Sequence, residues 1–365
     1  MYLLIFFYSY RKIIWGCIQV ISVIIPVYNV EKHVTRTLNS LANQTDNNFE
    51  LVIVNDGSID STLQVITEYI AQNKLHNVKI INQENAGVSV ARNTGIEAST
   101  GEYVYFLDGD DYVEIKLIET LNNVIKDEHP DLVFWKWRKV TEQGELINDY
   151  HSILPYDNTL MMNGEETLKK LVLDKSIRMI SAISGLYNRK QLNDHNIRYT
   201  PCCVNGEDQE FAFKALSVAD KVVSLQDVYS YYVQRKGSLT NNYNIKKFDF
   251  ADALKRAGYF MLGKNPNLKE VAMTLLKGEM IDNYFYNLSS CLQSAKSIYI
   301  RKLLKDIEIQ YPGTTKEMKE LMRTWKREKQ SKNRLVDAYL IAPELFHALL
   351  IIRNMKSKVK SVVGI

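Results

Sequence analysis

The first 140 residues alternate short apolar runs with longer stretches in which apolar positions recur every three or four residues. Ile21-Ser-Val-Ile-Ile-Pro-Val27, Leu51-Val-Ile-Val-Asn55, Val78-Lys-Ile-Ile-Asn82 and Tyr103-Val-Tyr-Phe-Leu107 read as strands. The segments around Glu31 to Gln44, Ser61 to Ala71 and Val88 to Ala98 read as helices. Strands that are apolar on both faces need helices on both faces, and a helix between two strands makes them parallel neighbours. The pattern predicts a doubly wound α/β sheet, whose ligands bind at the carboxyl ends of the strands. Asp131 to Trp137 reads as a fifth strand. The alternation then weakens, through a short helix over Gln209 to Leu216, to a tyrosine-rich strand-like run, Val228-Tyr-Ser-Tyr-Tyr-Val233. Beyond Phe248 the pattern is helical, with few Gly or Pro and no internal repeat.

Polar residues collect where the strands end. The first strand leads into Pro26-Val-Tyr-Asn29 and the second into Asn55-Asp-Gly-Ser58. The third leads through Glu84 into Asn85-Ala-Gly-Val-Ser-Val-Ala-Arg-Asn-Thr-Gly95, and the fourth into Asp108-Gly-Asp-Asp111. A polar ligand is expected on this rim. Asp56-Gly57 reads as a turn with Ser58 or Asp60 capping the next helix. Alternatively, Asp56 accepts a hydrogen bond from a base or ribose. Asp108 and Asp110, one residue apart at a strand end, point the same way and suit a shared Mg²⁺ or Mn²⁺ that also takes phosphate oxygens. Gly109 between them leaves room for a phosphate. Asp111 adds repulsion that favours a cation or a raised pKa. Arg92 lies in a helical stretch otherwise apolar on one face. It reads either as a salt bridge to a surface acid or as a clamp on a phosphate or a rim aspartate.

Composition adds limits. With 365 residues, 46% hydrophobic and 24% charged, the chain is an ordinary globular one of two domains, or one domain and an appendage. The net charge of +4 hides a division. Residues 1–230 carry 21 Lys+Arg against 30 Asp+Glu, a net of −9, and residues 231–365 carry 25 against 12, a net of +13. Cys17, Cys202, Cys203 and Cys291 form no CxxC pair and read as reduced thiols of a cytosolic protein. Met1 to Tyr10 is apolar and aromatic, with Arg11 and Lys12 after it rather than before it, the wrong order for a signal peptide. It reads as a membrane-touching segment, as ordinary packing, or as an extension from an upstream start codon. No GxGxxG occurs, which argues against a dehydrogenase, and there is no GxSxG. Gly258 to Asn265 approaches a P-loop but lacks its Ser/Thr and sits in a helical pattern.

Together the segments Ile21–Asn29, Val54–Ser58 with Asp60-Ser-Thr62, Asn85–Ile96 and Gly101–Asp111 occur in an order that resembles a family 2 glycosyltransferase of the GT-A fold. The resemblance is close over 21–112, looser to about Thr240, and absent from 250–365. It implies an N-terminal extension at 1–20 and a GT-A domain at 21–245, divided into a nucleotide-sugar-binding half (21–112) and an acceptor-side half (113–245). A basic helical region follows at 246–365. It further implies inverting transfer from a nucleotide-diphosphate sugar, a UDP-sugar by default, in bacterial surface polysaccharide synthesis. On this resemblance Pro26, Tyr28 and Asp56 serve the base, and Asn85 and Arg92 face the nucleotide or diphosphate. Asp108 and Asp110 form the DxD motif, with Asp110 on a divalent cation and Asp108 on ribose or metal. Glu207-Asp208 supplies the catalytic base, assigned to Asp208, although two acids also suit a helix N-terminus. Arg235, after Tyr232, belongs to a loop that closes on the diphosphate.

Trp135, Trp137, Tyr187 and Tyr231 read first as core residues and, alternatively, as sugar-stacking ones. Residues 316–334 hold eight Lys/Arg against three Glu, followed by the interrupted apolar stretch 335–352 and then Arg353, Lys356, Lys358 and Lys360. This reads as a solvated face or as a membrane-docking surface; nucleic acid is not expected, since no fold motif for it occurs. The expected location is cytoplasmic, at the inner face of the membrane, with a glycan or lipid-linked acceptor. The alternative class is a non-catalytic nucleotide-sugar-binding or scaffold protein.

Overall fold

The computed structural model describes residues 20–352 apart from 74, 151–158, 178–179, 236–242, 295–298 and 330–333. The N-terminal apolar run, Cys17, the Lys236–Ser238 part of the expected closing loop and the basic tail from Arg353 lie outside the described residues.

Ten strands among these residues form one mixed sheet: β1 (Ile21–Val27), β2 (Phe49–Asp56), β3 (Val78–Gln83), β4 (Tyr103–Phe106), β5 (Tyr112–Val113), β6 (Leu132–Thr141), β7 (Leu146–Tyr150), β8 (Leu160–Met162), β9 (Gly185–Asn188) and β10 (Val222–Gln234). Their order is β3-β2-β1-β4-β9-β6-β10-β5, with β7 on β6 and β8 on β10. The neighbours from β3 to β4 are parallel, as are β6 and β10. β9 runs against both β4 and β6 and joins the two parallel parts. β1 and β2 are buried at every position, as a central parallel strand requires, whereas the edge strand β3 is partly exposed.

The pleat sends alternate residues to two cores. Ile24, Val52, Val54, Val104 and Phe106 face one, with the helices Val88–Ala98 and Glu207–Leu216. Val23, Ile25, Ile53 and Tyr105 face the other, with the helices Val34–Ala42, Thr62–Gln72 and Leu117–Glu128. At the rim opposite the expected site, buried Glu50 accepts hydrogen bonds from the Ser22 hydroxyl, the Thr100 amide and hydroxyl, and the Gly101 amide. Burial pushes this carboxyl up, but these donors together hold it below the ordinary value.

After β10 come the helices Asp249–Lys264, Lys269–Thr274, Met280–Ser294, Ile300–Gln310, Thr314–Lys329 and Arg334–Ile341, and a last one over 343–352. Ala251, Leu254, Ala257 and Met261 recur at helical spacing and enter the first core beside Phe211 and Ala212. The helical region therefore has no separate core; it closes one face of the sheet. Gly258 to Lys264 is helical, so the near P-loop is no phosphate cradle. No helix of the described residues is long and apolar enough to cross a membrane.

The expected parallel strands and the helix Val88–Ala98 are present. The first helix is shorter than expected, Val34–Ala42, and β6 and β10 are longer. β7, β8, β9 and the helix Leu117–Glu128 were not expected from the apolar pattern. β9 is Gly-Leu-Tyr-Asn, four residues with no alternation to read.

Candidate functional site

The loops after β1 and β2 are laced together. Asn29 adopts a left-handed φ of 52°, its Oδ1 accepts from the Ile59 amide at 2.9 Å, and its own amide donates to Ser58 Oγ at 3.1 Å. Asp60 accepts from the amides of Thr62 and Glu31. The N-cap of the following helix is Ser61, whose side chain makes no capping bond; Asp60 and Glu31 perform that task instead. This fixes Pro26, at the buried end of β1, and leaves Tyr28 exposed at the lip.

Asp56 ends β2 and is almost fully buried. Its carboxylate accepts from Gln83 Nε2 at 2.7 Å, the amides of Ala86 and Gly87 at 2.9 Å each, and Asn85 Nδ2 at 3.3 Å. Asn85 also donates to the Asp56 carbonyl. Gly57, at φ +72°, lets the Asn85 backbone approach: an added Cβ would lie 2.8 Å from its nitrogen. Asp56 thus shapes the Asn85–Gly87 loop, and Asp56 and Asn85 lie on one wall.

Asp108, Gly109, Asp110 and Asp111 follow β4. Gly109 does not leave a phosphate-sized space. An added Cβ would fall 2.8 Å from Val27 Cγ1 and 3.3 Å from the Pro26 carbonyl, so the missing side chain serves packing against β1. Asp111 is fully buried and accepts from the Val233 amide at 2.8 Å. Burial, then the charges of Asp110 and Asp108, push its carboxyl well above the ordinary range. Its bond to Val233 ties this loop to β10.

Arg92 is the hub. Its guanidinium is buried and lies 2.9 Å from Asp108 Oδ1, 2.9 Å from Asp208 Oδ1 and 3.7 Å from Glu207 Oε1. It also stacks over the Tyr199 ring at 4.9 Å. Burial works against its charge, but the carboxylates of Asp108 and Asp208 outweigh it. Of the two sequence readings, the clamp on a rim aspartate holds, and this side chain is buried beneath the carboxylates. Glu207 and Asp208 open the helix Glu207–Leu216, after Gly206 at φ 86°. Asp208 Oδ2 also accepts from the Ala182 amide at 3.3 Å. Burial raises both acids, Glu207 to about 7, with Asp208's charge adding to Glu207 and Arg92 opposing the shift in each.

Asp110 pairs with Arg235, which arrives from the end of β10. Burial, then Asp108's charge, lifts the Asp110 carboxyl to about 6 against Arg235's pull. Among the described residues, no three His, Cys, Asp or Glu side chains form a ready-made metal cage. The oxygen donors of Asp108 and Asp110 nevertheless suit a hard cation that takes its other ligands from phosphate. Trp135, Trp137 and Tyr187 are buried core residues; Tyr231 is only half buried and stacks on Tyr112 at 4.7 Å.

The sequence pattern of glycosyl transferase family 2 matches residues 22–195. The protein EpsH of Bacillus subtilis is 31% identical over 255 residues, 68% of this chain and 71% of EpsH. The chain belongs to glycosyl transferase family 2. The glycosyltransferase GlyA of Streptococcus pneumoniae is 34% identical over 226 residues, 60% of this chain but 31% of GlyA. The poly(ribitol-phosphate) beta-N-acetylglucosaminyltransferase TarS of Staphylococcus aureus is 30% identical over 269 residues, 72% of this chain and 44% of TarS. The chain therefore spans less than half the length of these two relatives. The crystal structure of TarS 1–349 in complex with UDP-GlcNAc superposes with a TM-score of 0.62 at 22% identity, covering 92% of each chain. This shows the shared GT-A-like fold, including the helical region that the sequence motifs do not reach.

Two features of this family 2 chain were missed in its sequence. Arg36 donates to the carbonyls of Glu142 and Asp110, joining the segment after β6 to the loop Asp108–Asp111. The backbone amide of Ala182 steadies Asp208 from a segment with no motif at all. Neither contact has a local sequence signal.

Proposed function

We propose that this transferase moves a sugar, with inversion, from a UDP-sugar to a glycan or lipid-linked acceptor in cell-surface glycan assembly. One observation carries the reading. A single buried guanidinium, that of Arg92, joins Asp108, just after β4, to the acid pair of a helix whose Asp208 lies 116 residues from Arg92 in sequence. A structural surface acid pair needs no such buried tie. The donor lies along the wall made by Pro26, Tyr28, Asp56 and Asn85. A divalent cation, Mn²⁺ or Mg²⁺, held by Asp108 and Asp110 would neutralise charge on the departing diphosphate. Asp208 takes the proton of the acceptor hydroxyl as it attacks the anomeric carbon. Arg92 orients Asp208 and favours its ionised form against burial. Arg235, on a strand end beside the DxD loop, is placed to contact the diphosphate.

The test is Asp208→Asn. Transfer or hydrolysis of UDP-GlcNAc should fall by about 10²- to 10⁴-fold, with UDP affinity by calorimetry preserved. Full activity would remove Asp208 from the mechanism. An inactive wild type that still binds UDP-sugars would favour the scaffold class.

The reading extends to membrane contact at the cytoplasmic face. The last described helix, 343–352, buries Phe346 and Leu350 but exposes Leu345, Leu349, Ile351 and Ile352, with Ile341 just before it. Four Lys/Arg and no acid follow in 353–365. An apolar face beside basic residues suits an anionic bilayer. Leu345→Ser with Leu349→Ser should reduce flotation with phosphatidylglycerol vesicles; unchanged flotation would reject the contact.

A further inference from the structure

The loop that leads into Glu207 and Asp208, residues 204–206, is held from outside the sheet. The Val204 amide donates to Asp249 Oδ2 at 2.8 Å, and Asn205 Nδ2 donates to the Lys247 carbonyl at 2.9 Å. Gly206 packs so closely on Phe250 that an added Cβ would meet its ring and Cα at 2.9 to 3.0 Å. Arg256 grips Glu210, one turn into the same helix, through two bonds of 2.9 and 2.7 Å. Every one of these partners lies beyond residue 245. The other oxygen of Asp249 accepts from the Tyr311 hydroxyl at 2.5 Å, so the carboxylate is itself fixed by the end of a later helix.

The register of this loop decides where Asp208 sits. Gly206 is in a left-handed conformation, and the helix begins immediately after it. A shift of the loop is therefore passed to Asp208 two residues on, away from Arg92 and from the Ala182 amide. Catalytic groups tolerate displacements of only about half an ångström.

We propose that the helical region after residue 245 is the positioning device for the acid pair, and that Asp249 is its principal positioning residue. The inference rests on Asp208 acting as the base. Asp249 touches no reacting atom; it acts through Val204. Its role differs from mere stabilisation because the Val204 contact lies four residues before the base.

The experiment uses the full chain. In Asp249→Ala, the amides of 204–208 should exchange with deuterium at least about tenfold faster, and kcat for UDP release from UDP-GlcNAc should fall about 10- to 100-fold. UDP affinity should stay within about twofold, because Tyr28, Asp56 and Asn85 are held by the loops after β1, β2 and β3 rather than by residues beyond 245. Asp249→Asn should restore most of both signals, since its Oδ1 still accepts from Val204 and its Nδ2 can donate to the Tyr311 oxygen. Unchanged exchange at 204–208, or equal losses in turnover and UDP affinity, would overturn the proposal. If Asp249→Ala does not fold, Tyr311→Phe, which removes one donor to Asp249, should shift exchange and kcat in the same direction by a few-fold; no change in either would also overturn it. A wild type that releases no UDP from UDP-GlcNAc would count against the donor assignment alone, and the exchange data would still decide the role of Asp249.

Discussion

At the residue scale, the centre of the site is a ratio of charges. Three carboxylates, Asp108, Glu207 and Asp208, share one buried guanidinium. Removing one side of a buried ionic cluster leaves uncompensated charge and costs about 3–5 kcal/mol. Arg92→Ala should therefore lower the melting temperature, and by more at pH 8 than at pH 5.5. The sign follows from Glu207, whose folded pKa of about 7 lies above the ordinary 4.5. A group raised in this way contributes stability below the ordinary value and loses it as pH rises through the folded one. Without Arg92 the acids rise further, so the loss steepens. Thermal denaturation at the two pH values checks this; a pH-independent difference would refute it. The acids themselves were legible in the sequence because each follows a strand or opens a helix. Their convergence was implied only by the family resemblance, because Arg92 and Asp208 lie 116 residues apart and no local pattern links them. Gly109 was legible as a special position, but its reason, contact with Val27, is tertiary.

At the scale of elements, the central strands could be read directly because burial on both faces leaves an uninterrupted apolar run. The short antiparallel strands could not, since β9 owes its place to the gap between β4 and β6 rather than to its own residues. The far rim of β1, β2 and β4 depends on Glu50. Its folded pKa is depressed, so it contributes stability above the ordinary 4.5 that is lost as pH falls through the lower folded value. Glu50→Gln should be less stable than wild type at pH 7, and the gap should narrow below pH 4.5. Urea denaturation at pH 7 and pH 3.5 measures it, and a constant gap would exclude the carboxylate as the source.

At the scale of the whole molecule, the division into an acidic and a basic half does not coincide with a division of the core. Ala251, Leu254, Ala257 and Met261 complete the same core as Phe106 and Phe211. A chain ending at residue 245 should thus expose this sheet face and be recovered as aggregate or as a species that binds hydrophobic dye. Size-exclusion chromatography with dye fluorescence tests this; a monodisperse, cooperatively melting fragment would show the sheet to be self-sufficient. The helical region resisted sequence reading because its periodicity shows that helices exist without showing what they cover.

The ties from Asp249, Lys247, Phe250 and Arg256 to residues 204–210 also bear on engineering. In a chimaera with a relative, a junction near residue 245 would leave residues 203–210 facing foreign anchors. A graft of residues 246–352 should succeed only when residues 203–210 travel with it, as two inserts designed as one.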